Sequence, residues 1–111
     1  MTIIALNVLS EQSNHGVVQM PERQFPGAVI QGDSLAILCE EAREISERLK
    51  ALSNPDDDIL FLAQEHQEKL LSRLLHYQKV LAEYKMSLPY TRAAEASDLV
   101  ILVHGGDDSA L

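Results

Sequence analysis

From Ile59 to Met86 the chain runs without a glycine or a proline. Uninterrupted in this way, the stretch reads as one helix about 40 Å long, more than a domain of this size spans comfortably. An element of that length needs something to lie against. Its apolar stripe takes in Ala63, His66, Leu70, Leu71, Leu74, Tyr77, Leu81, Tyr84 and Leu88. Asp56-Asp57-Asp58 opens the helix with acids where the positive end of its dipole favours them, and Leu88-Pro89-Tyr90 stops it. The same three acids do not make a calcium loop, which needs spaced ligands, a central glycine and a distal glutamate.

The partner element precedes it. Gly32-Asp33-Ser34 releases the chain into a helix expected over residues 35–52, with Asp33 or Ser34 as the N-cap. Leu35, Leu38, Ala42, Ile45, Leu49 and Leu52 recur at spacings of three and four. The opposite face carries Glu40, Arg43, Glu44, Glu47 and Arg48, and Asn54-Pro55 closes the element. This helix is too short to cover the whole stripe of its successor. The uncovered remainder calls for a second copy of the chain or another protein; a homodimer is the working expectation, with His66, Leu74, Tyr77, Leu81 and Tyr84 as residues of the dimer contact or of a pocket.

Ahead of the helices the pattern is extended. Ile3 to Leu9 reads as a strand, Ser10 to Gly16 as a polar turn in which Asn14, His15 and Gly16 suit tight or left-handed backbone, and Val17 to Met20 as the returning strand. Pro21 and Pro26 punctuate the next turn, and Ala28 to Gln31 forms a short third strand. After the helices, residues 91–97 read as a linker and Leu99-Val100-Ile101-Leu102-Val103 as a strand, apolar at every position. His104 to Asp108 reads as a frayed end. The expected fold is α+β: a small antiparallel β-β-β sheet, a long two-helix hairpin and a C-terminal strand. Residues 1–90 form a single domain, and residues 91–111 a linker followed by a strand or flexible tail.

Charge narrows the partners. Seventeen acids against nine bases leave a net charge of −8. That field repels nucleic-acid phosphates and anionic membrane surfaces and favours basic proteins. There is no Trp and there are only three Tyr and two Phe on which bases could stack. No run approaches the roughly 18 apolar residues of a membrane span, and no basic leader precedes an apolar run, so a cytoplasmic protein is expected. Cys39 is the single cysteine. It sits in an apolar-periodic stretch and reads as a buried reduced thiol.

No catalytic constellation emerges. His104-Gly105-Gly106 after an apolar strand is the arrangement of an esterase oxyanion loop, but the chain has no Gly-x-Ser-x-Gly elbow. His15, His66, His76 and His104 are scattered, with no pair at i,i+4 and no Cys-x-x-Cys, so no metal site or cofactor is expected. His66 reads as a hydrogen-bonded core or interface histidine. Gln31-Gly32-Asp33-Ser34 lacks the glycines and lysine of a phosphate loop, and Asp33 would repel the ligand. Arg23 beside Phe25 is the exposed-looking basic–aromatic pair of the acidic half.

Pro21-Glu22-Arg23-Gln24-Phe25-Pro26-Gly27 and Gln31-Gly32-Asp33-Ser34-Leu35, followed by an acidic helix, resemble the strand-turn-helix of HicB-type antitoxins over about a quarter of the chain. That resemblance implies a small partner-binding fold that neutralises a toxin, usually an RNase. The second long helix departs from it, and no DNA-binding module is evident. Residues 1–90 as a whole more closely resemble a family of short uncharacterised bacterial proteins with the same Arg-x-Phe-Pro-Gly and Gln-Gly-Asp-Ser-Leu signature. The expected function is a non-catalytic protein-binding module of antitoxin or immunity type. Arg23, Phe25, Glu40, Glu44 and Glu47 would touch a basic partner such as a toxin or nuclease. Its rivals are a ligand-binding or enzymatic homodimer, with a pocket between sheet and helices lined by His66, Arg73, Tyr77 and Tyr84, and a structural subunit of a larger assembly.

Overall fold

The computed structural model describes residues 1–12 and 14–103. Three short strands, β1 (Asn7–Ser10), β2 (Gly16–Gln19) and β3 (Gly27–Val29), form an antiparallel meander in the order β1-β2-β3. Two helices follow, α1 (Gly32–Lys50) and α2 (Asp57–Glu83). The fold is α+β, as the sequence pattern implies.

The sheet is shorter than the apolar pattern suggests. Residues 3–6 were expected in β1 but lie outside it, and Ile3 and Ile4 are exposed. The cause is the partner strand. Beyond Gln19 the chain turns at Pro21 and Glu22, with Glu22 in the left-handed region at φ 66° and the Arg23 N–H on the Met20 carbonyl. Nothing extended remains opposite residues 3–6. Asn14, at φ 62°, supplies the left-handed residue of the β1–β2 turn, the role its short polar side chain favours. Leu9 forms a bulge, because Val8 pairs with Val18 and Ser10 with Val17.

Helix α1 starts three residues earlier than expected, with Gln31 rather than Asp33 or Ser34 at the N-cap position. Asp33 instead lies in the first turn and accepts from the Ser34 N–H at 2.8 Å. The buried face also differs from the apolar stripe. Gly32, Leu35, Ala42 and Ser46 are buried, whereas Leu38, Ile45 and Leu52 are exposed. Close approach to α2 decides this, since the small residues admit its bulky ones. A Cβ at Gly32 would collide with the Tyr77 ring, and Leu74 on α2 is 2% exposed. Ser46 is fully enclosed in the same seam, and its Oγ has no hydrogen-bond partner among the described residues.

Helix α2 opens at the acid cluster, as read, and starts two residues before Ile59. Asp56 is its N-cap and accepts from the Asp58 N–H at 2.7 Å. It ends three residues before Met86, where Tyr84 caps the helix and Lys85 turns left-handed at φ 56°. The Met86 N–H donates to the Leu81 carbonyl and the Lys85 N–H to the Ala82 carbonyl. This is a Schellman closure with lysine where glycine is usual.

The expected C-terminal strand is not present. Among the described residues, 99–103 have no strand partner, and a 3₁₀ turn (Ala96–Asp98) precedes them. They lie beside α2 and are bonded by its side chains. The expected frayed end, including His104-Gly105-Gly106, falls outside the described residues.

Candidate functional site

Three glutamines on α2 define the most organised polar feature of the chain. Gln67, 4% exposed, uses both ends of its carboxamide on one residue: Nε2 donates to the Val100 carbonyl and Oε1 accepts from the Val100 N–H, each at 2.9 Å. Gln78 treats Ala94 in the same way, at 3.0 and 2.8 Å, and its Oε1 also accepts from the Tyr90 hydroxyl. Gln64 Oε1 accepts from the N–H groups of Leu102 and Val103. A primary amide presents the same donor and acceptor as a peptide group. These side chains therefore do for residues 94–103 what a neighbouring strand would do. Spacings of three and eleven put Gln64, Gln67 and Gln78 on one helix face. Amide side chains interrupting an apolar stripe were the available signal, and reading that stripe for hydrophobicity alone passed over them.

The arm so held covers the seam between the helices. Beneath it lies a cavity of about 80 Å³ whose lining includes Cys39, Arg43, Leu71, Tyr90, Arg92 and Asp98. Arg92 and Asp98 staple the arm to itself at 2.7 Å. The Arg92 guanidinium, followed by the Glu95 N–H, holds the Asp98 carboxyl below the usual carboxylate range, and Arg92 is raised by the same bond. Burial pushes the Tyr90 phenol up, with Tyr77 and Cys39 adding to the effect. Burial also raises the half-buried Cys39 thiol, which lowers its thiolate fraction at neutral pH. Among the described residues, no group of three or more His, Cys, Asp or Glu side chains converges as a metal site would require.

The remaining site candidates fall on separate elements. Glu40, Glu44 and Glu47 share the exposed face of α1. Arg43 lies 3.8 Å from Glu40 and 3.6 Å from Glu47, and Arg48 meets Glu44 at 2.8 Å. Arg23 and Phe25 belong to the β2–β3 connection, where Phe25 is 73% exposed. Among the described residues no hydrogen bond or ion pair links that connection to the α1 acids. On α2, Leu74 and Tyr77 pack within the chain, Leu81 is half-buried and Tyr84 is exposed. His66 is exposed as well, and its neighbour Gln67 takes the inward position. The cavity sits between the helices and the arm, not between sheet and helices.

These features define a small α+β protein: a helical hairpin that binds an extended polypeptide arm through side-chain amides, with a meander beside it. The chain belongs to a family of unknown function (DUF6959), whose model matches residues 1–90. The three clamp glutamines thus lie within the matched region, and the arm lies beyond it. No curated protein and no solved structure matches the chain. None of the helices among the described residues is long and apolar enough to cross a membrane.

Proposed function

We propose that this protein is a non-catalytic binding module of antitoxin or immunity type that covers a basic partner protein, such as a toxin or nuclease. The outer face of α1 carries the reading. Glu40, Glu41, Glu44 and Glu47 stand exposed beside the exposed apolar side chains of Ile37, Leu38 and Ile45. Apolar groups supply area for a contact, and acids steer a cationic partner onto it. The net charge of −8 acts in the same sense. The ion pairs from Arg43 and Arg48 are exposed, and pairs of this kind are worth about 0–1 kcal/mol each, so an arriving cation displaces them at little cost. The likeness of Pro21 to Ile45 to HicB-type antitoxins supports the same reading.

The tagged protein, recovered from its native host at low salt, should carry a stoichiometric basic protein. Glu41→Lys with Glu44→Lys should abolish that complex while leaving the circular dichroism unchanged. A double variant that still holds its partner sinks the proposal. The small-ligand alternative has less behind it. The cavity beneath the arm, about 80 Å³, falls well below the ~300–1,000 Å³ of pockets for drug-sized ligands, and the larger spaces, beside Ile45 on α1 and beside Phe61 on α2, are open surface grooves.

A further inference from the structure

Helix α2 stops short of what its sequence allows. From Ile59 to Leu88 no glycine or proline interrupts the chain, and Lys85, Met86 and Leu88 are good helix formers. Yet the helix ends at Glu83, and the chain reverses through Lys85, held in the left-handed region at φ 56°. A residue with a Cβ adopts that backbone at a disadvantage of roughly tenfold. Residues 82–87 are all exposed, so no packing enforces the turn. The reversal sends the arm back along its own helix. Ala94 is bonded by Gln78, Val100 by Gln67, and Leu102 and Val103 by Gln64. Rising numbers on the arm meet falling numbers on the helix, so the arm runs antiparallel to α2.

We propose that Lys85 is the hinge of an arm exchange between two copies. Helix α2 straightens through residues 84–87, and residues 94–103 leave their own clamp for that of a second copy, which returns its arm. Direction selects this occupant. Once straightened, the arm travels onward along the axis of its own α2. A two-fold-related copy sets its α2 antiparallel to the first, so the incoming arm meets the second copy's glutamines in the same antiparallel sense that it has within one chain. Because the segment is the one already seated there, Gln64, Gln67 and Gln78 make the same bonds in either state, and those bonds favour neither. The hinge decides. Exchange replaces the turn bonds from the Met86 N–H to the Leu81 carbonyl and from the Lys85 N–H to the Ala82 carbonyl by the i→i−4 bonds of a continuing helix. It also frees both lysines from left-handed backbone. Charge does not oppose the meeting, since residues 83–89 carry Glu83 and Lys85, one of each sign. A linked arm has an effective concentration on the order of 1 mM, and roughly tenfold relief at each of two hinges brings the dissociation constant to ~10 µM. The exchange takes place at the far end of α2 and leaves the outer face of α1 free, so it stands or falls independently of the partner-binding reading.

Sedimentation equilibrium on the full chain, from ~1 to ~300 µM, is expected to show a monomer passing into a dimer with its midpoint near ~10 µM. Lys85→Gly eases the left-handed turn and disfavours the continued helix, so it should weaken association at least ~100-fold while the monomer stays folded. In a mixture of labelled and unlabelled wild type, isotope-filtered NOEs should connect the Gln67 carboxamide of one copy with Val100 of the other, a readout that needs no variant to fold. Carbon chemical shifts of residues 84–87 should turn helical as the dimer accumulates. A wild type that stays monomeric throughout the range overturns the proposal. So does a Lys85→Gly protein that dimerises as tightly as wild type, or a dimer in which the Gln67–Val100 contact remains within each chain.

Discussion

Replacing Gln67 by leucine isolates what the amide clamp contributes. The substitution removes two hydrogen bonds of 2.9 Å and leaves the Val100 N–H and carbonyl, both part-buried, without partners. At about 1 kcal/mol net per bond, with a further penalty for each orphaned group, the arm loses roughly 2–4 kcal/mol of local stability. Since 1.4 kcal/mol is a factor of ten, exchange of the Val100 amide should accelerate ~30-fold or more. The loss is local because the arm can open without unfolding α1 and α2, so the midpoint of global unfolding should move little. Gln67→Glu separates the two bonds. It keeps an acceptor for the Val100 N–H but sets a carboxylate against the Val100 carbonyl, so its exchange rate should fall between wild type and Gln67→Leu. Hydrogen exchange followed by NMR reads all three proteins. If Val100 exchanges within about threefold of wild type in Gln67→Leu, the arm is held by something other than the glutamine, and the reasoning fails.

Three further perturbations test the same structure. Ser46→Ala removes an enclosed hydroxyl that has no partner among the described residues and should raise stability by about 1 kcal/mol, roughly 4 °C in midpoint; a lower midpoint would mean that the hydroxyl is bonded. Lys85→Gly relieves a left-handed lysine at φ 56° and should add roughly 1 kcal/mol in chemical denaturation, whereas a loss would show the lysine side chain to be the stronger influence there. Asp98 titrates below its ordinary value in the folded chain, so its contribution is complete above about pH 4 and fades as pH falls through the depressed folded value. The Glu95 amide resonance, whose N–H is bonded to Asp98 at 2.8 Å, should report that low titration, and Arg92→Ala should move it upward; no change on losing Arg92 would refute the staple.

Much of the architecture could be read from punctuation. Asn54-Pro55 and the Asp56 cap separate two stretches free of breakers, and the helical hairpin follows from them. The strand order follows from Asn14 and the Pro21–Glu22 turn. Facing was harder. Periodicity identifies an apolar stripe but not which edge of it lies innermost, and α1 turned its small residues inward because Tyr77 and Leu74 fill the space opposite. The end of α2 was missed because a lysine occupies the left-handed position where a glycine would have announced it. Leu99 to Val103 looked like a strand because five apolar residues fit one. What sets their conformation is a set of amides from α2, residues far away in sequence. Long-range pairing through side chains leaves no period to read.

The proposed role turns on long-range attraction between an acidic surface and a cationic protein. The association rate of the complex recovered from the host, followed from ~0.01 to ~1 M salt, tests this most directly, because the screening length falls from ~30 Å to ~3 Å over that range. The rate should drop steeply while dissociation changes little. An association rate that stays level across the series, or a partner that is itself acidic, would contradict it.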